Sequence, residues 1–125
     1  MAPTSVALRL ATARSRSARA TFARNFFEAG GIEALANDGF ESRDALLNAF
    51  TASGARLACL CAADADYARA AADTARALKE AGARALYLAG PPGEHEDAWR
   101  TAGIDTFIHS GSDALAVLQA AHQVR

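Results

Sequence analysis

Apolar residues along this chain fall into two alternating kinds of block, compact runs and spaced stripes. The compact runs read as strands. Val6 to Ala11 is the first, Ile32 to Leu35 a short second one near a sheet edge, and Leu57 to Ala62 the third. Ala85 to Ala89 and Thr106 to His109 follow. The third run is apolar throughout, without alternation, as in parallel strands covered on both faces. The spaced stripes read as helices, because residues three and four apart share one face. Residues 19 to 29 place Ala18, Phe22, Phe26 and Ala29 on one side, and Gly30 and Gly31 are expected to end that helix in a left-handed conformation. Residues 43 to 53 turn Leu46, Leu47 and Phe50 inward, with Ser42 as cap and Gly54 as terminator. A long helix runs to Ala81 with Asp64 or Asp66 as cap, an inner stripe of Tyr67, Ala71, Thr74 and Leu78, and Gly82 as its close. A short helix surrounds Trp99, which packs on the sheet. The last covers 112 to 123 with Leu115, Leu118 and Ala121 or His122 facing in.

Five strands alternating with five helices imply an α/β domain with a parallel sheet and right-handed crossovers. At this length the expected solution is a flavodoxin-like, doubly wound, three-layer sheet of order 2-1-3-4-5. The 125 residues make one domain, 1 to 125, without linker, internal repeat or low-complexity tract beyond an alanine bias.

Charge changes this picture only locally. The net charge of -1 argues against nucleic acid as the main partner. Yet residues 1 to 24 hold five arginines (9, 14, 16, 19 and 24) and no acid, so the remaining eight basic and fourteen acidic residues net -6. Such a basic end suits an anion site, a nucleic-acid patch, a docking face for an acidic partner, or a solvated edge. Cys59 and Cys61 lie two apart in a strand-like run, so they point the same way and do not suit a disulfide. Free thiols fit a reducing cytoplasm. No apolar stretch reaches membrane-spanning length.

In a doubly wound sheet, ligands bind beyond the C-terminal strand ends. The loops expected there are Thr12 to Ala18, Ala36 to Glu41, Ala62 to Asp66 and Gly90 to Glu96. The first loop lacks the glycines that let backbone N–H groups cradle a phosphate, although Thr12, Ser15 and Ser17 offer hydroxyls and Arg14 and Arg16 offer charge. The strand ends preceding Thr12 and at Cys61-Ala62 offer no phosphoacceptor aspartate. A nucleophilic reading would pair Cys61 with His95 or His109, but core packing is the commoner fate of such a thiol. His122, far from this edge, reads as a surface residue or a cap.

Three segments carry a family resemblance: ARATFARNFFEAGGIEAL at 18 to 35, SGARLACLCAADADYA at 53 to 68, and ALKEAGARALYLAGPPGE at 77 to 94. They resemble the C-terminal domain of the methylmalonyl-CoA mutase small subunit, a flavodoxin-like domain of the cobalamin-binding type. The resemblance covers nearly the whole chain. Cobalamin-binding relatives carry Asp-x-His-x-x-Gly in the first loop, its histidine ligating cobalt, then Ser-x-Leu after the third strand and Gly-Gly after the fourth. Here the first loop reads TARSRSAR, the second position Cys61-Ala62-Ala63, and the third Ala89-Gly90.

The resemblance therefore implies a domain that keeps the fold without the cofactor. Thr12, Arg14, Arg16, Cys61, Ala62, Ala89 and Gly90 mark a vestigial site, with no catalytic residue, no metal ligand and no cofactor on this chain. The implied partner is the large mutase subunit, which binds adenosylcobalamin and isomerises methylmalonyl-CoA to succinyl-CoA; the chain alone is expected to be inactive. Arg14, Arg16 and Arg19 are candidate contacts to that partner. The family's subunit has a large barrel domain ahead of this one, so the resemblance implies that the chain is a fragment of a longer subunit or a separately encoded remnant. The alternative is a module that holds a corrinoid or another anion at the Thr12–Arg19 loop.

Overall fold

The computed structural model describes residues 4–9, 18–30, 33–35, 43–53, 57–61, 64–91, 93–109 and 111–123. Its elements are β1 (Thr4–Arg9), α1 (Ala18–Ala29), β2 (Glu33–Leu35), α2 (Arg43–Ser53), β3 (Leu57–Cys61), α3 (Asp64–Glu80) and β4 (Ala85–Ala89), then a 3₁₀ turn (Gly93–His95), α4 (Glu96–Ala102), β5 (Thr106–Ile108) and α5 (Ala114–His122). All strand pairs are parallel, and the sheet order is β2-β1-β3-β4-β5. The expected cap Ser42, the terminator Gly54 and Gly31 lie outside the described residues.

The unbroken apolar run of β3 has a direct cause. Leu57 and Cys59 join one core, while Ala58 and Leu60 join the other. β4 behaves the same way, with Ala85, Tyr87 and Ala89 on one side and Leu86 and Leu88 on the other. Both central strands are thus covered on both faces, as a parallel sheet requires. One face is closed by α1 and α5, through Phe22, Phe26, Phe27, Val117, Leu118 and Ala121. The other is closed by α2, α3 and α4, through Phe50, Ala71, Ala75, Leu78, Trp99 and Ala102.

From Ala71 onward α3 follows the predicted stripe, while the side chain of Tyr67 lies outside the described residues. Ala71, Thr74 and Leu78 are buried, and Ala75 completes the stripe. After the helix, Gly82 at φ +110° lets its N–H reach the Lys79 carbonyl, while the Ala83 N–H reaches Leu78. Leu78 and Ala83 then share the core, which is the paired closure a glycine permits. Trp99 packs into the same core beside Phe107, with ring centroids 6.2 Å apart.

Several sequence expectations are corrected. β1 begins at Thr4, two residues before the expected Val6, and Leu10 and Ala11 of the expected strand lie outside the described residues. The last helix is shorter than 112 to 123, because Asp113 caps it: its side chain accepts the Ala116 N–H at 3.1 Å. Leu115 then lies in the first turn on the outer side, 68% exposed, and Val117, Leu118 and Ala121 do the packing. On α1 the buried side is centred on Phe27, 1% exposed, while Ala29 is exposed. Three phenylalanines give this helix two overlapping apolar faces. The one that brings Phe27 edge-on to Tyr87, with centroids 5.0 Å apart, wins. Gly30 does not take the left-handed conformation expected of it. A Cβ there would come within 2.6 Å of the Leu118 side chain, so any larger residue at Gly30 makes that side chain shift. Asp64 and Asp66, expected as caps, are the first and third residues of α3, inside the helix rather than before it.

Beneath the other end of the sheet, Asp105 ties three elements together. Its carboxylate accepts Lys79 Nζ from the end of α3 and the Leu86 N–H from β4, both at 2.9 Å. Its own N–H donates to the Leu86 carbonyl, and its carbonyl accepts Arg100 Nη1 at 2.9 Å. Nothing in the spacing of the sequence signals that role.

Candidate functional site

The topology gathers the C-terminal strand ends into one edge. β1 ends at Arg9, which is in register with Cys61 at the end of β3. β4 ends at Ala89, in register with Ile108 at the end of β5. The sheet thus places Arg9, Cys61, Ala89, Gly90 and His109 along the same edge, where such folds bind ligands. Of the other site residues read from the sequence, Thr12, Arg14, Arg16 and Ala62 lie outside the described residues, and Cys61 is described by its backbone place alone.

The end of β4 is closed rather than open. Ala89 is fully buried in the core shared with Phe27, Tyr87 and Ile108. Gly90 is buried too, and its N–H donates to the Ile108 carbonyl at 2.8 Å, so that donor is spent within the sheet. At φ +137°, Gly90 holds a conformation that side-chain-bearing residues rarely adopt.

The two histidines near this edge are engaged locally. His109 follows β5. Its Nδ1 accepts the Gly111 N–H at 3.1 Å, and its own N–H donates to Ser112 Oγ at 2.9 Å. Ser112 Oγ donates in turn to the Phe107 carbonyl at 3.2 Å. This network shapes the turn into α5. An imidazole that accepts at Nδ1 carries its proton at Nε2 when neutral. His95 stacks on Trp99, with centroids 4.9 Å apart and planes at 24°, and its Nε2 lies 3.6 Å from Glu94. No local sequence signal marked that stack, although a separation of four residues permits it.

The Cys59 thiol is fully buried in the α1/α5 core, its Sγ 3.9 Å from the Leu60 carbonyl oxygen. Beside it, burial pushes the Tyr87 phenol up from 10.0 to about 12, and nearby Asp105 and Cys59 add to the shift. Tyr87 is a core residue on the face away from α3, and the shift reflects packing. Among the described residues no three His, Cys, Asp or Glu side chains form a group able to hold a metal ion. Nor is any described helix long and apolar enough to cross a membrane.

This fold is shared with a CheY-like protein from Pseudomonas aeruginosa, whose crystal structure matches with a TM-score of 0.71 over 98% of this chain and 94% of that one. At 16% identity that likeness speaks for the fold alone. No protein-family model matches. The sequence relatives are more specific. The methylmalonyl-CoA mutase small subunit of Streptomyces virginiae is 46% identical over 109 residues, 87% of this chain. Those of Propionibacterium freudenreichii subsp. shermanii and Porphyromonas gingivalis are 34% and 33% identical over 87% and 84% of it. The chain is a relative of the methylmalonyl-CoA mutase small subunit. It spans 17%, 17% and 16% of the length of these three subunits, so the kinship concerns one domain-sized stretch of them.

Proposed function

We propose that the chain is a non-catalytic, cobalamin-domain-like part of a methylmalonyl-CoA mutase small subunit. In this reading it supports, in the cytoplasm, a large subunit that isomerises methylmalonyl-CoA to succinyl-CoA. The family relationship supplies the setting. The observation that carries the non-catalytic part is the closed end of β4, with Ala89 buried against Phe27 and Ile108 and the Gly90 N–H committed to β5.

A corrinoid does not fit the residues at this edge. Cobalamin-binding domains that this chain resembles use a Gly-Gly pair where Ala89 and Gly90 stand, and a histidine in a first loop that here reads TARSRSAR. The Ala89 methyl fills core space, and His95 and His109 are occupied by Trp99 and by the turn before α5. No chemical step is assigned to the chain. Its contribution is association.

The test is to mix the purified chain with a large mutase subunit, such as that of the Streptomyces virginiae enzyme, and follow both by gel filtration with light scattering. Co-elution at a defined stoichiometry is expected, without turnover by the chain alone. Separate elution at micromolar concentrations would overturn the reading.

The arginine excess in residues 1 to 24 favours a second reading, an anion-binding module at the Thr12–Arg19 loop. Inorganic phosphate titrated by calorimetry separates the two. Saturable binding that is lost in an Arg14→Ala/Arg16→Ala variant supports the module, and no heat supports the association reading.

A further inference from the structure

We draw no further inference here: the strongest candidate, the uncharged outer face of α5 around the exposed Leu115, is an unpartnered apolar surface, and nothing in the structure shows what covers it.

Discussion

The two sides of the sheet solve the same packing problem with different materials. On the α2/α3/α4 side, small residues let helices lie close to the strands: Ala71, Ala75, Ala83 and Ala102 surround Trp99, Phe50 and Phe107. The outer surface there is charged and locally paired, with Arg76 on Asp73 at 3.0 Å, and Arg100 on Glu96 and Lys79 on Asp105 at 2.9 Å. On the α1/α5 side, aromatic rings fill the space. Phe22, Phe26, Phe27 and Tyr87 form a chain of ring contacts 5.0 to 5.9 Å apart. The outer helix α5 carries no Asp, Glu, Lys or Arg. The alanine side is therefore sensitive to added volume and the aromatic side to lost volume. Both follow from cores packed to crystal-like density.

Removing a ring should produce the largest effect. Phe27→Ala is expected to cost about 3–5 kcal/mol, because the lost transfer energy is joined by a cavity between α1 and Tyr87. Urea unfolding monitored by circular dichroism checks this, and a cost under about 1 kcal/mol would mean that the aromatic side collapses around the gap.

The converse change tests the alanine side. Ala75→Leu adds a branched side chain where α3 is fully buried, and a loss of about 1–3 kcal/mol is expected. The same substitution at the exposed Ala120 should be close to neutral. Equal effects at both positions would remove the packing distinction.

Tyr87 gives the aromatic side a pH signature. Its folded value of about 12 lies above the ordinary 10.0, so the stabilisation is complete below pH 10 and is lost as the pH rises towards 12. At about 1.4 kcal/mol per unit, the loss reaches roughly 2–3 kcal/mol. Thermal melts between pH 9 and pH 12 should show a steeper decline in the wild type than in Tyr87→Phe. Parallel declines would mean that the phenol is not the group responsible.

A tighter contact on the same side can be isolated by a double-mutant cycle. Gly30→Ala should destabilise by about 1–2 kcal/mol, since its methyl meets Leu118. In a Leu118→Ala background most of that cost should vanish. An undiminished cost would place the strain in the backbone instead. At the small end, Arg76→Ala should change stability by about 0.5 kcal/mol or less, because its partner Asp73 is solvent-exposed.

The strands and helices were legible because their signals are local. An unbroken run such as Leu57 to Cys61 and the i, i+3, i+4 stripe of α3 each reflect burial of one element against its neighbours. What sequence reasoning missed depends on contacts between distant residues. The choice of Phe27 over Ala29 is made by Tyr87, sixty residues away. The role of Gly30 is set by Leu118; the outward turn of Leu115, by contrast, follows from a local cap at Asp113 whose position the apolar stripe alone did not fix. The candidate site was legible in the opposite sense. The residue types at Ala89 and Gly90 could be compared with a family pattern, but only the fold places the Ala89 methyl in the core and the Gly90 N–H on Ile108. The loop holding Thr12, Arg14 and Arg16 lies outside the described residues, so its part remains a reading of sequence.

The central proposal is that this domain keeps a flavodoxin-like fold without the capacity to hold a corrinoid. The most direct measurement is a titration of the purified chain with hydroxocobalamin and adenosylcobalamin, followed by gel filtration with detection of corrin absorbance. The account predicts that all corrin elutes as free small molecule, with the chain's own unfolding midpoint unchanged. Corrin absorbance that travels with the protein, together with a raised midpoint, would contradict it.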